Sequence, residues 1–207
     1  MPDFEIENNF KGIVAGIDEA GRGPWAGPVV ASAVVIKDKE ISEELLKSLD
    51  DSKKISAKKR EYLYDLLFKE VDLGKIAIGV GEASAKEIDG LNILEATFLA
   101  MRRAYDKLGC EADVALVDGN QHPKGFKCKT QTIIKGDAKS LSIAAASVVA
   151  KVYRDKIMKE LASKYPYYAF EKNAGYGTAA HIAGLEKFGV TDEHRKSYKP
   201  VKALTSK

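Results

Sequence analysis

Cysteine is almost missing from the chain: Cys110 and Cys128 are the two among 207 residues. Two thiols build neither a disulfide framework nor a zinc-ligand spacing, so free thiols in a reducing compartment are expected. Long apolar runs are missing as well. The longest uncharged stretches, Gly23 to Ile36 and Ser140 to Ala150, are too short to cross a bilayer. The N-terminus is acidic and carries no apolar signal core, which points to a cytoplasmic protein with no membrane partner. Bulk charge is small, +3, so it does not announce a nucleic acid by itself. A nucleotide-binding glycine loop is also set aside. The glycines at 21, 23 and 27 lack the G-x-G-x-x-G spacing and precede an apolar strand, and Gly79-Val80-Gly81 has no third glycine. With no repeat and no low-complexity segment, the remaining balance of 45% hydrophobic and 30% charged residues is that of one globular domain, or of one with a small appendage.

What the chain does have is a conspicuous stretch, Gly16-Ile17-Asp18-Glu19-Ala20-Gly21-Arg22-Gly23-Pro24. It follows the apolar run Ile13-Val14-Ala15, which reads as a strand. Two carboxylates at the end of a buried strand are costly unless paired, hydrogen-bonded or metal-bound. Adjacent strand residues point to opposite faces, so Asp18 and Glu19 serve one centre only where the strand ends. Gly21 and Gly23 bare the backbone to a ligand, and Arg22 between them is a forked cation suited to phosphate. Two further strand ends carry acids, Asp118 in Val117-Asp118-Gly119-Asn120 and Asp137 in Lys135-Gly136-Asp137. Each acid alone has a plainer reading, as a solvated pair, a turn residue or a helix cap. Recurrence at separate strand ends, where open α/β sheets gather their ligands, favours a common site. Four carboxylates without histidine or cysteine suit Mg²⁺ or Mn²⁺, and two such ions can clamp a phosphodiester during in-line displacement.

The elements around these motifs follow from periodicity. Strands are expected at 13–18, 28–36, 76–80, 114–117 and 130–134, the second apolar throughout and so covered on both faces. The third is expected to end at Gly79 and Gly81. Helices are expected at 42–49 and 56–71, with Ser56 as cap. Another, carrying the stripe Leu91, Leu94, Phe98, Met101, Tyr105 and Leu108, starts at Asn92-x-x-Glu95 and stops at Gly109. A long helix runs 140–164, its charged second half leaving the core, and a last one runs 178–188. Residues 1–11 are expected to fray. The order predicts an α/β fold, a mixed five-stranded sheet with helices on both faces. Lysine and arginine cluster at 53–60, 124–139 and in a tail of Arg195, Lys196, Lys199 and Lys202, which together suit a polyanionic substrate. His122, His181 and His194 read as surface or packing residues, and Trp25 equally as loop packing or substrate contact.

In these motifs, joined by Asp51-Ser52-Lys53-Lys54, Leu91-Asn92-Ile93, Ile143 to Ser147 with Arg154-Asp155, Gly175-Tyr176-Gly177-Thr178 and His194-Arg195, the chain resembles ribonuclease HII, the type 2 ribonuclease H. The likeness runs in order from about residue 12 to 200. It implies a ribonuclease H-like domain over 1–160 and a helical segment over 161–207 that completes the substrate groove. It implies two-metal hydrolysis of RNA in RNA–DNA hybrids and incision at ribonucleotides embedded in duplex DNA, with 5′-phosphate and 3′-hydroxyl ends. By resemblance Asp18, Glu19, Asp118 and Asp137 are the catalytic, metal-binding set. Gly21, Arg22 and Gly23 read the ribose 2′-hydroxyl through the backbone, Tyr176 packs on the next sugar, and Ser52 and Lys53 contact phosphate. Ala174 departs from the family, where many relatives carry lysine. A monomer without an added binding domain is expected. A non-catalytic binding module and a DNA-only nuclease or strand-transfer enzyme are the rival readings of the same acids.

Overall fold

The computed structural model describes residues 1–50, 52 and 54–205. Asp51 and the expected phosphate contact Lys53 lie outside the described residues. The five expected strands are present: β1 Val14–Ala20, β2 Val29–Ile36, β3 Ile76–Ala83, β4 Val114–Asp118 and β5 Lys129–Ile133. They form one mixed sheet in the order β3-β2-β1-β4-β5. β1 pairs antiparallel with β2, which pairs antiparallel with β3; β1 pairs parallel with β4, and β4 parallel with β5. The parallel register sets the ends of β1 and β4 side by side, with Ile17 opposite Val117.

Alternation along the central strands sends side chains to two cores. Ala15 and Ile17 with Val29, Ala31, Ala33 and Val35 face α5 (Ile93–Asp106). Val34 faces the other way, toward α3 (Ala57–Asp72) and the long helix α6 (Leu141–Lys164). β2 is therefore covered on both faces, as its unbroken apolar run requires. By the same alternation Gly16 and Asp18 belong to the α6 face and Glu19 to the α5 face. α6 comes close because its first turns are Ile143-Ala144-Ala145-Ala146 and because Gly16 has no side chain. A Cβ on Gly16 would sit 2.3 Å from the backbone carbon of Ser142.

Four expectations are corrected. β3 does not end at Gly79 and Gly81 but runs through them. The two glycines admit the backbone of α5, whose Ala104 carbonyl would lie 2.0 Å from a Cβ on Gly79. The stripe starting at Leu91 spans two helices, α4 (Ala85–Leu91) and α5, broken at Asn92 with φ of 73°. Leu91 is exposed, and the reciprocal capping box belongs to Ser84 and Glu87 at the start of α4. Asn92 does cap α5, accepting from the amides of Leu94 and Glu95 at 2.9 and 3.2 Å. Residues 1–11 are tied down. α1 (Glu5–Asn8) brings Glu7 onto the N-terminus of α6, where its Oε1 accepts from the Ser142 amide at 3.0 Å and the Ser140 hydroxyl at 2.7 Å. Finally, the second half of α6 does not leave the core. Met158 and Ala162 pack with Ala26, Tyr168, Phe170 and Leu185 in a separate cluster, so α6 carries the C-terminal segment.

Ser42 precedes the short α2 (Glu43–Ser48), and Ser56 caps α3 by accepting from Lys59 N at 3.3 Å. After α6 come α7 (Phe170–Asn173), α8 (Ala179–Phe188) and α9 (Lys199–Thr205). No helix of the described residues is long and apolar enough to cross a membrane. Gly16→Val should destabilise the fold by about 3 kcal/mol or more through overpacking against α6. Urea denaturation would show this as a lower midpoint, and an unchanged midpoint would contradict the close approach.

Candidate active site

β1 runs on to Ala20, so Asp18 and Glu19 lie just inside the strand and point to opposite sides of the sheet, and the end of β4 delivers Asp118 beside them. Asp18 lies on the α6 side, in a groove of about 350 Å³ shared with Glu19, Gly21, Arg22, Gly23, Ser52, Ser147, Lys151, Arg154 and Tyr176. Glu19 also borders a smaller hollow on the α5 side, with Arg22, Asp118, Asn120 and Gln121. Glu19 thus joins the two halves of the site. Asp118 Oδ1 accepts from the Gly136 amide at 2.6 Å, which fixes the turn Gly136–Ala138 and its buried Asp137 next to β4. Lys135 enters that turn with φ of 56°, a left-handed conformation that a side-chain-bearing residue adopts at a cost of about 1–2 kcal/mol.

The electrostatics of Asp18 are unfavourable for an anion. It is 5% exposed, and burial, then the charges of Glu19 and Asp118, hold its carboxyl well above the ordinary value of 3.8. Hydrogen bonds from the Ser147 hydroxyl and the Glu19 amide, the latter at 2.7 Å, work the other way. Ser147 Oγ is also hydrogen-bonded at 2.9 Å to Ser52 Oγ, so the buried Ser52 is linked to Asp18 through one hydroxyl. The expected phosphate cation Arg22 is turned to Glu19, Nη1 to Oε1 at 3.2 Å, with about half of its side chain exposed. Among the described residues no three acidic, histidine or cysteine side chains converge tightly enough to cage an ion on their own. Glu19 and Asp118 are occupied by Arg22 and the Gly136 amide instead. The donor set nevertheless fits a hard divalent ion. Its side-chain donors are carboxylate oxygens, they repel one another, and Mg²⁺ commonly takes one or two carboxylates and fills its sphere with water and substrate phosphate.

The glycine loop between β1 and β2 is held by two arginines. Arg154, 2% exposed, reaches from α6: its guanidinium donates to the carbonyls of Pro28, Ala174 and Ala26 at 3.0, 3.0 and 3.1 Å. Arg195, fully buried, donates to the carbonyls of Gly27, Arg22 and Gly21 and to Tyr198 Oη. Burial, then the neighbouring Arg195, lowers Arg154 to about 10, which leaves it charged at neutral pH. Gly21, with φ of 97°, lies so close to Arg154 that a Cβ would be 2.0 Å from Nε. Gly23 is matched to Tyr176, whose ring carbon Cε1 would lie 3.3 Å from a Cβ there. Arg195 is therefore a structural cation and not part of a basic tail. A buried arginine satisfied by carbonyls has no charged partner in the sequence to betray it; its only signal was its place beside His194 in the C-terminal motif. Ala174 takes φ of 49° and offers its carbonyl to Arg154, neither of which depends on its side chain, so nothing in the structure explains an alanine here.

Tyr176 stands half-exposed over the groove on a pinned backbone. Gly175 packs on the Ala26 carbonyl and Gly177 on the Trp25 indole, so the Trp25 ring takes part in loop packing. His181 and His194 are fully buried, as packing residues should be, and lie within hydrogen-bond distance of each other. His122 is exposed, 3.4 Å from Thr132 Oγ1.

The Asp18 environment predicts a sign. A carboxyl whose value is raised on folding supports stability fully below 3.8 and loses that support as pH rises through the raised value. In EDTA, Asp18→Asn should therefore melt higher than the parent chain at pH 8, and the gap should close as pH falls toward 4. A variant that melts lower at pH 8 would mean that the carboxylate is stabilised and not strained.

Comparison with known proteins places these features in a family. The family model for Ribonuclease HII matches residues 15–201. The chain is 54% identical over 201 residues to Ribonuclease HII of Paramagnetospirillum magneticum, covering 97% of each. It is 54% identical over 202 residues to that of Rhodospirillum rubrum, covering 98% of this chain and 91% of the relative. Among solved structures, ribonuclease H2 from Pyrococcus horikoshii superposes with a TM-score of 0.78 at 27% identity, over 94% of this chain and 97% of that one. Bst-RNase HIII in complex with Mn²⁺ shares the fold, with a TM-score of 0.75 at 15% identity, over 94% and 69% of the two chains. The acids at the strand ends, the clamped glycine loop and the tyrosine over the groove thus sit in a chain that belongs to the ribonuclease HII family and is a ribonuclease H hydrolase.

Proposed function

We propose that this hydrolase incises duplex DNA at embedded ribonucleotides as well as the RNA strand of RNA–DNA hybrids, leaving 5′-phosphate and 3′-hydroxyl ends. The observation that carries the reading is the Gly21-Arg22-Gly23 loop. Arg195 holds the Gly21 and Arg22 carbonyls, and Gly21, Arg22 and Gly23 line the same groove as Asp18, where their backbone N–H groups would meet the ribose. The ribose 2′-hydroxyl is the chemical mark that separates RNA from DNA at such a site, and a rigid bare backbone can read it.

Asp18, Glu19, Asp118 and Asp137 would hold Mg²⁺ or Mn²⁺, with Asp18 shared between two ions. Bound there, the ions would supply an activated water and charge stabilisation for the departing 3′-oxygen. Ser147 orients the Asp18 carboxylate. Arg22 is poised to exchange Glu19 for a substrate phosphate, and Ser52 and Lys53 supply further phosphate contacts. The Tyr176 ring packs on the next sugar and favours deoxyribose there. The segment 161–207 completes the groove through Tyr176 and Arg195. Exposed Lys135 and Lys139, on either side of the Asp137 turn, extend the positive surface toward the duplex. The protein acts as a monomer in the cytoplasm.

A 5′-labelled duplex with one ribonucleotide, incubated with Mg²⁺, Mn²⁺ or EDTA, tests this. Incision at one position beside the ribonucleotide is expected with either ion and none with EDTA, while an all-DNA duplex stays intact; equal cutting of both duplexes would reject ribose readout. Asp18→Asn should lower the incision rate by at least about a hundredfold. Gly21→Val should cost ribose selectivity more than metal affinity, since its side chain would displace Arg154 from the loop. Metal titration followed by calorimetry separates the two effects.

A further inference from the structure

The two buried histidines form a directional chain that ends on Tyr176. The Thr191 amide donates to His194 Nδ1 at 3.0 Å, and an amide can only donate. His194 Nδ1 is therefore unprotonated, and in the neutral ring Nε2 carries the hydrogen. That hydrogen faces His181 Nε2 at 3.0 Å, which must accept it. His181 in turn carries its hydrogen on Nδ1 and donates it to the Tyr176 carbonyl at 3.0 Å. One assignment of protons satisfies every link. Both rings have no exposure to solvent and are walled by Tyr168 and Phe170, with Trp25 against His181. The same Tyr176 carbonyl accepts from the Thr178 amide at 2.8 Å, and its amide donates to the Asn173 carbonyl at 2.9 Å.

We propose that His194 and His181 are positioning residues for Tyr176: a relay from Thr191 through two neutral imidazoles sets where the exposed ring stands over the groove, and with it the preference for deoxyribose beside the cut. The proposal rests on the reading of Tyr176 as the sugar contact. A polar chain driven through an aromatic cluster is otherwise unneeded, because leucine would fill that space without burying four ring nitrogens that all require partners. The relay also joins the two edges of the groove. Thr191 and His194 belong to the segment whose Glu193 carbonyl and Arg195 amide bond Gly27 and Trp25 of the glycine loop. The reader of the 2′-hydroxyl and the ring on the next sugar are thereby fixed to a common support.

The test is the ratio of kcat/KM on a duplex with one embedded ribonucleotide to kcat/KM on a hybrid with an all-RNA strand. Tyr176→Ala should lower that ratio. His181→Leu, which fills the space without a donor, should lower it by about tenfold, the size of one hydrogen bond to a positioned group. His181→Asn, whose amide can stand where Nδ1–H stood, should keep most of it, although asparagine is the poorer fit to an aromatic pocket. Combining Tyr176→Ala with His181→Leu should add little to Tyr176→Ala alone.

If Tyr176→Ala leaves the ratio unchanged, the tyrosine reading fails and the relay has nothing to position. If Tyr176→Ala lowers it while His181→Leu does not, the relay alone is overturned. A fall with His181→Asn as deep as with His181→Leu would assign the pair to packing. Nitrogen-15 spectra of the unmutated protein give a second measurement free of folding effects. His194 should appear as the Nε2–H tautomer and His181 as the Nδ1–H tautomer, and the opposite pair would overturn the relay.

Discussion

The separation between α6 and β1 is the constraint on which the site depends. Gly16 and the small residues of the first turns of α6 let helix and strand meet almost backbone to backbone. At that distance Ser147 reaches the Asp18 carboxylate, and two turns further along Arg154 reaches the carbonyls of the glycine loop. Rows of helical residues three and four apart keep Ser147, Lys151, Arg154 and Met158 on neighbouring stretches of one face. One helix therefore sets the acid, the loop and the docking of the C-terminal segment. A wider gap would misplace all three together, which explains why so much of this interface is alanine and glycine.

The site balances two charge problems of opposite sign. On one side, carboxylates are crowded at the ends of β1 and β4 with incomplete compensation. On the other, two guanidiniums are buried with their charge spread over backbone carbonyls. Pairing the two groups directly would have been the simpler way to quiet both. Kept apart, the carboxylates raise one another's proton affinity at Asp18 while the guanidiniums polarise the loop carbonyls. This is stored electrostatic strain of the kind found where an enzyme must bind charged groups tightly, and packing elsewhere must offset it.

Much of this was legible in the sequence, because its signals are local. Strand β2 announced itself by unbroken apolar residues, α6 by its small-residue start, and the acids by recurring near the ends of strands. What stayed hidden depends on partners remote in sequence. Gly79 and Gly81 look like strand terminators until α5 is laid across them. Leu91 falls in phase with the α5 stripe until Asn92 turns the chain. Arg195 looks like one more surface cation, and His181 and His194 like unrelated packing residues, until folding joins positions that nothing local connects. The family motifs marked Leu91, His194 and Arg195 but carried no account of what they touch.

The bond from Arg195 to the carbonyl of Gly21 spans 174 positions of the chain. On a ribosome, the strand bearing Asp18 and Glu19 and the loop behind it emerge well before the guanidinium that arrests the loop. All five strands precede Arg195 in the chain, so the sheet can assemble while that turn is still unfastened. Any product that ends before Arg195 keeps the acids of β1 and β4 and lacks the side chain that arrests the loop.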